Sequence, residues 1–155
     1  MKITTLCFCL KKDLVLLAMK KRGFGTGKWN GYGGKQDSGE TPRQTASRET
    51  NEESKLIVKN EDLEQVAVIR FYFEGVQLFE CHVFFSEKWQ GEPTETEEMR
   101  PQWFPSSNIP YKEMWVDDEL WLPLVLGGER IDADIDLSSD GSIVKNFSWK
   151  KTSFT

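Results

Sequence analysis

Apolar and β-branched positions cluster in residues 3–10 and 14–20, with only Lys11, Lys12 and Asp13 between them. That spacing predicts an antiparallel hairpin. Alternating, aromatic-rich runs at residues 66–73 and 78–85, and again around 101–104, read as strands of a central sheet. Residues 131–137 and 142–149 flank Ser138-Ser139-Asp140-Gly141, a turn sequence, so a terminal hairpin is expected.

Helical signals occur in two places. Thr41 precedes Pro42 and stands three residues before Gln44, which supplies an N-cap, a proline at the first helical position and a capping box. A helix is expected from Pro42 to about Ser54. A second is expected from Asp117 onward, with Asp118 and Glu119 at its positive end. Between the first hairpin and the first helix, residues 23–34 read GFGTGKWNGYGG, six glycines in twelve positions, a density no regular helix tolerates.

The chain of 155 residues suits one domain spanning 1–155. With 38% apolar and 29% charged residues it can bury a core, which excludes disorder and fibrous repeats. Twenty-five carboxylates against 20 Lys and Arg leave a net charge of −5. An acidic surface disfavours polymeric nucleic acid and anionic membrane as partners, although a metal ion can still bridge such a protein to phosphates. Cys7, Cys9 and Cys81 form no CxxC pair and read as free thiols of a reducing compartment. No small-residue cleavage site follows the first apolar run, and residues 14–19 are too few to span a bilayer. A cytoplasmic monomer is the expectation.

Within the first helix Glu49, Glu52 and Glu53 stand at i, i+3 and i+4, an arc of about 100°. On an arbitrary helix this is a solvated acidic face tempered by Arg48, four residues before Glu52. Here a glycine loop lies just upstream, where Gly33 and Gly34 allow backbone to approach an anion and Lys35 can neutralise it. Hard oxygen donors in that setting suit magnesium or manganese. The loop fits neither the dinucleotide fingerprint nor the P-loop spacing.

Gly34, five residues, Glu40, seven residues, Arg48-Glu49, two residues and Glu52-Glu53 closely resemble the signature of the Nudix hydrolase family. MKKRGFGTGKWNGYGGK, EMRPQWF and MWVDDELWLPL resemble its branch of oxidised purine nucleoside triphosphate hydrolases. The resemblance implies an α+β fold, a mixed β-sheet sandwiched between helices, and magnesium-assisted attack of water on a phosphoanhydride. The products would be a nucleoside monophosphate and pyrophosphate. Carried onto matching positions, it implies metal ligands at Glu49, Glu52, Glu53, the Gly33 carbonyl and Glu98. Glu53 is the favoured general base and Glu98 its rival, with Arg48 orienting the glutamates. For the purine it implies hydrogen bonds from Asn30, Asp117 and Asp118, stacking on Phe24 and Trp115, and Thr5 and Lys20 along the pocket. The branch's substrate is a small-molecule purine nucleoside triphosphate. A Nudix enzyme for another diphosphate, such as a dinucleotide or nucleotide sugar, and a non-catalytic binding module are the alternatives.

The chain departs from the signature at Thr50, in a slot usually aliphatic, and at Lys55, in one usually glycine. Thr50 should face the sheet with a hydroxyl in need of a partner. A left-handed helix end costs Lys55 about 1 kcal/mol, so reduced stability or a different ending is expected. His82 reads as packed or surface structure, and Asp132, Asp134 and Asp136 as a solvated strand face.

Overall fold

The structure, a computed structural model, describes residues 1–155. The strands and helices run β1 (Lys2–Lys11), β2 (Leu14–Lys20), β3 (Trp29–Asn30), α1 (Pro42–Ser54), β4 (Glu64–Phe73) and β5 (Val76–Ser86). They continue with β6 (Met99–Pro105), α2 (Asp118–Leu126), β7 (Ile131–Leu137) and β8 (Val144–Lys151). The eight strands form one hydrogen-bonded network in the order β3-β2-β1-β5-β4-β7-β8, with β6 paired to β2. Parallel pairs (β1 with β5, β4 with β7) alternate with antiparallel ones, so the sheet is mixed.

The first hairpin forms as expected, but its strands soon part. Only Leu10↔Val15 and Lys11↔Leu14 are in register; from Lys2 to Cys9, β1 pairs with β5 instead. The partner of β2 over its whole length is β6, from Leu14↔Pro105 to Lys20↔Met99. The run around residues 101–104 therefore belongs to a peripheral ribbon and not to the central sheet. Periodicity marks a strand; it carries no information on which neighbour the strand finds.

Two apolar layers cover the sheet. On one face α2 contributes Trp121, Leu122 and Val125 to a core with Phe8, Ile69, Phe71, Val83, Ile131 and Ile135. On the other, Ala46 of α1 packs with Cys7, Cys9, Leu16, Tyr32 and Phe84. The result is the expected α+β arrangement of a mixed sheet between helices. All three cysteines are free and buried. No helix is long and apolar enough to cross a membrane.

Helix α1 begins where its caps dictate. The Thr41 side chain accepts from the Gln44 N–H, and the Gln44 side chain accepts from the Thr41 N–H. It ends with Lys55 in the left-handed conformation, φ 69° and ψ 4°, its N–H donating to the Asn51 carbonyl. The ending is thus the one a glycine would make, held by a residue with a Cβ. Thr50 is fully buried, and its hydroxyl beside Cys7 finds no hydrogen-bond partner. His82 bridges Gln65 and Glu80 on the strand face. Asp132 and Asp134 are not simply solvated, because Arg70 of the adjacent strand pairs with both.

Relief of the left-handed strain is measurable. Lys55→Gly should raise unfolding stability by about 1 kcal/mol, while Lys55→Val should lower it. Urea denaturation of the three proteins checks the order, and an unchanged or lower midpoint for the glycine variant would contradict it.

Candidate active site

The segment from Gly31 to Lys35 runs antiparallel to β1 at backbone distance. Cys7 and Tyr32 exchange N–H···O bonds of 2.6 and 3.0 Å, and the Thr5 N–H donates to the Gly34 carbonyl at 2.9 Å. A Cβ on Gly33 would lie 1.8 Å from the Thr5 carbonyl oxygen, so this approach requires glycine. A Cβ on Gly34 would lie 2.6 Å from the Glu49 carboxyl carbon. These two glycines therefore bring bare backbone against both β1 and the acidic face of α1.

Each carboxylate of that face is held by a hydrogen-bond donor, Glu49 and Glu52 by the same one. The Gly33 N–H donates to Glu53 at 2.9 Å. Arg48 binds Glu49 at 2.9 Å and Glu52 at 3.3 Å through one nitrogen, and Glu40 at 2.7 and 3.0 Å through two others. Asp37 completes its surroundings at 3.3 Å. The guanidinium holds the Glu40 carboxyl down at about 2, mainly through its own hydrogen bond. Arg48 thus orients the glutamates, with Glu40, unassigned beyond its place in the motif, as its anchor. The signal for that pairing was the spacing i, i+8 across the helix start, which only a turn before Thr41 brings together.

Glu53 is 7% exposed, and burial pushes its carboxyl up to about 7, with the Glu49 and Glu98 charges adding to the rise and the Gly33 N–H opposing it. Glu49 is also raised, by burial first, with Arg48 opposing. Glu98 sits in the loop before β6, where Arg22 donates to it from two nitrogens at 3.0 and 2.7 Å and Lys20 stands 3.8 Å away. As the side chains lie, no three of these acids converge on one point. Arg48, the Gly33 N–H and Arg22 draw them apart. The donor set is nonetheless of hard oxygens, with the Glu49 and Glu98 charges both bearing on Glu53, and it fits a hard divalent cation.

Next to this face a cleft of about 340 Å3 extends under the sheet. Gly33, Gly34, Lys20 and Glu53 line one part of it; Thr5, Phe24, Asn30, Trp115, Asp117 and Asp118 also line it. Phe24 is largely exposed and lies 5.0 Å from the Trp115 ring, tilted by 32°. Asn30 accepts from the Gly31 N–H through its side-chain oxygen. Asp117 accepts from the Trp121 indole N–H at 3.0 Å and makes no helix-capping bond, so it serves the cleft wall rather than the start of α2. Burial, reinforced by the neighbouring Asp117 carboxylate, pushes Asp118 well above the ordinary carboxylate range; Asp117 is raised too, by burial. One oxygen of Asp118 and the Thr5 hydroxyl are buried without a partner. Buried polar atoms in that state lower stability unless a ligand satisfies them.

Arg48, Glu49, Glu52, Glu98 and Lys35 lie outside the cleft lining. For Lys35 this departs from expectation. It lines a shallow groove with Lys2 and Asp37, and its carbonyl accepts from Arg48. Sequence reasoning passed over the apolar wall of Phe71, Phe73, Phe79, Cys81 and Leu137, and Gly141 at the rim. Phe71, Phe73, Phe79, Cys81 and Leu137 fall in runs read as strands, and strand periodicity does not separate a cavity wall from a filled core. The Asp117–Trp121 bond was foreseeable from its i, i+4 spacing.

Residues 2–125 match the NUDIX domain, so the chain belongs to the Nudix family. It is 49% identical over 130 residues to a Danio rerio protein named oxidized purine nucleoside triphosphate hydrolase, with 83% of this chain and 82% of that one covered. A Mus musculus protein of the same name is 48% identical over 126 residues, covering 81% and 80%. Among solved structures, a MutT protein from Bacillus halodurans superposes with a TM-score of 0.84 over 97% of this chain and 98% of its own. At 23% identity that likeness is one of fold. Nudix hydrolases in general use divalent metal ions.

The raised Glu53 carboxyl has a consequence for stability. Unfolded, it ionises near its ordinary value of 4.5; folded, it keeps its proton to about 7. Between those values the unfolded state gives up a proton that the folded state retains, so stability falls as pH rises and then levels off. In EDTA, Glu53→Gln should lose this part of the slope and be about 2–3 kcal/mol more stable than the parent at pH 8. Urea titrations at pH 5 and pH 8 measure it; equal slopes for the two proteins would count against a buried, proton-retaining Glu53.

Proposed function

We propose that the chain is one Nudix domain over residues 1–155 that hydrolyses oxidised purine nucleoside triphosphates, with magnesium, to the nucleoside monophosphate and pyrophosphate. The observation that carries this reading is the single cleft in which Glu53 and the Gly33-Gly34 backbone share walls with the buried Asp117–Asp118 pair. An acidic, metal-fitting face suits the triphosphate; a flat slot with buried hydrogen-bonding groups suits the base. The names of the relatives support the choice of oxidised purines over other diphosphates.

Glu49, Glu52, Glu53, Glu98 and the Gly33 carbonyl would hold the metal, with manganese a chemically suitable substitute. When bound, the ion neutralises phosphate charge and lowers the pKa of a coordinated water. Glu53 is the favoured base. Its burial makes it a stronger proton acceptor than an ordinary carboxylate, and its second oxygen is free of the Gly33 N–H. Glu98 is the rival base. Arg48 keeps Glu49 and Glu52 turned to one side of the helix. Lys35 would act on the phosphates from the loop edge only, because its side chain stands outside the cleft.

Base recognition rests on chemistry at the other walls. Asp118, its carboxyl pushed well above the ordinary range by burial and by the neighbouring Asp117, is the one suited to donate, while Asp117, bonded to Trp121, can accept. That pair lets one pocket serve both oxidised guanine and oxidised adenine. Asn30 supplies a further edge contact, Trp115 and Phe24 the stacking surface, and Thr5 and Lys20 polar contacts along the wall.

A turnover panel with magnesium separates the readings: normal and oxidised purine triphosphates, a nucleotide sugar and a dinucleotide, with products identified. Oxidised purine triphosphates should give monophosphate and pyrophosphate at the highest kcat/KM. Preference for a dinucleotide or sugar substrate, or binding with no turnover, would overturn the proposal. Glu53→Gln should lower kcat by about 10²–10⁴ with little change in nucleotide affinity. Asp118→Asn should change kcat/KM by about 10–100-fold and alter the ratio between oxidised guanine and adenine substrates. An unaltered ratio would remove Asp118 from base selection.

A further inference from the structure

The loop before β6 is stapled on both sides. Toward α1, the Thr96 hydroxyl donates to the Glu53 carbonyl and the Thr94 N–H donates to the Ser54 carbonyl, at 3.0 and 2.9 Å. Toward the end of β2, the Lys21 N–H donates to the Glu98 carbonyl at 2.8 Å and the Lys21 ammonium binds Glu95 at 2.6 Å and the Thr96 carbonyl at 2.9 Å. Glu98 is thereby delivered to within electrostatic reach of Glu53. Its side chain, however, is already taken. Both Nε and an Nη of Arg22 reach one Glu98 oxygen, and Lys20 faces the other.

Arg22 is not built in as permanent structure. Its side chain is 60% exposed, it stands beside the glycine loop, and its other partner, Glu97 at 3.4 Å, is 85% exposed. A guanidinium and a divalent cation compete for the same carboxylate lone pairs, and only the cation can also draw in Glu53.

We propose that Arg22 is an exchangeable counter-ion for Glu98, holding the carboxylate in the metal-free enzyme and surrendering it when a divalent cation binds. It is a positioning residue that acts through Glu98, and it sets the metal affinity of the site. This rests on the reading of Glu98 as a metal ligand. Its sign distinguishes it from a structural role: loss of a scaffold contact weakens metal binding, whereas loss of a competitor strengthens it.

The test is Mn2+ binding by the nucleotide-free full chain at fixed pH and ionic strength, followed by electron paramagnetic resonance and calorimetry. Arg22→Ala should tighten Mn2+ binding by about two- to fivefold, the scale of an exposed ion pair. Lys28→Ala, which removes the same charge from the glycine loop beside the cleft where it pairs with no carboxylate, should leave the affinity unchanged. Glu98→Gln should weaken it. If Arg22→Ala leaves affinity unchanged or weakens it while Glu98→Gln also weakens it, the exchange is wrong and Glu98 remains a ligand. Equal tightening in Arg22→Ala and Lys28→Ala would reduce the effect to general electrostatics and overturn the exchange as well. If Glu98→Gln has no effect, the ligand reading itself falls, and the exchange with it.

Discussion

Two backbones, Gly33 and Thr5, approach too closely to admit a side chain, and the rest of the site depends on that approach. No side chain fits between them, since a Cβ would sit 1.8 Å from the Thr5 oxygen. Because the segment lies flat on β1, the Gly33 N–H meets Glu53 and Gly34 leaves room for the Glu49 carboxylate. β1 in turn is held in the middle of the sheet by β5, and its first residues continue into the floor of the cleft. Sheet register, glycine contact and acidic helix are thus one mechanical unit.

That unit concentrates groups that oppose folding. Glu53 is buried with its ordinary ionisation resisted, Asp118 more so, and Thr5 and Asp118 carry buried polar atoms without partners. Such groups are stable only because the surrounding core over-determines their positions. They are also the groups a phosphate-bound cation and a hydrogen-bonding base would satisfy. Arg48 pairs with Glu49 and Glu52 of α1 and Lys20 and Arg22 with Glu98, and of these three basic side chains Lys20 alone lines the cleft.

Much of the scaffold was legible along the chain. Helix α1 begins and ends at the residues its caps indicate, because N-cap, proline and capping-box chemistry are local. The glutamate face is a matter of helical period, and the terminal hairpin follows from a turn sequence between alternating runs. Even Lys55 obeyed the local rule for a helix end, at the cost of a left-handed non-glycine residue. The excess of carboxylates was visible as well, and with it the suggestion that some serve a cation.

Tertiary structure decided the rest. Local pattern cannot choose a strand's neighbour, so β6 joined β2 and not the central sheet, and with it the loop carrying Glu98 was set beside Arg22. Lys35 was placed by sequence proximity at the phosphate site, but the antiparallel seating of its backbone on β1 turned its side chain to another groove. The aromatic wall of the cleft and the burial of Asp117 and Asp118 depend on α2 lying across β4, β5 and β7, elements far apart in the chain. Residue types and their spacing determine what chemistry is available. Which carboxylates become buried, paired or free depends on long-range packing, because desolvation and charge proximity exist only once the chain has closed on itself.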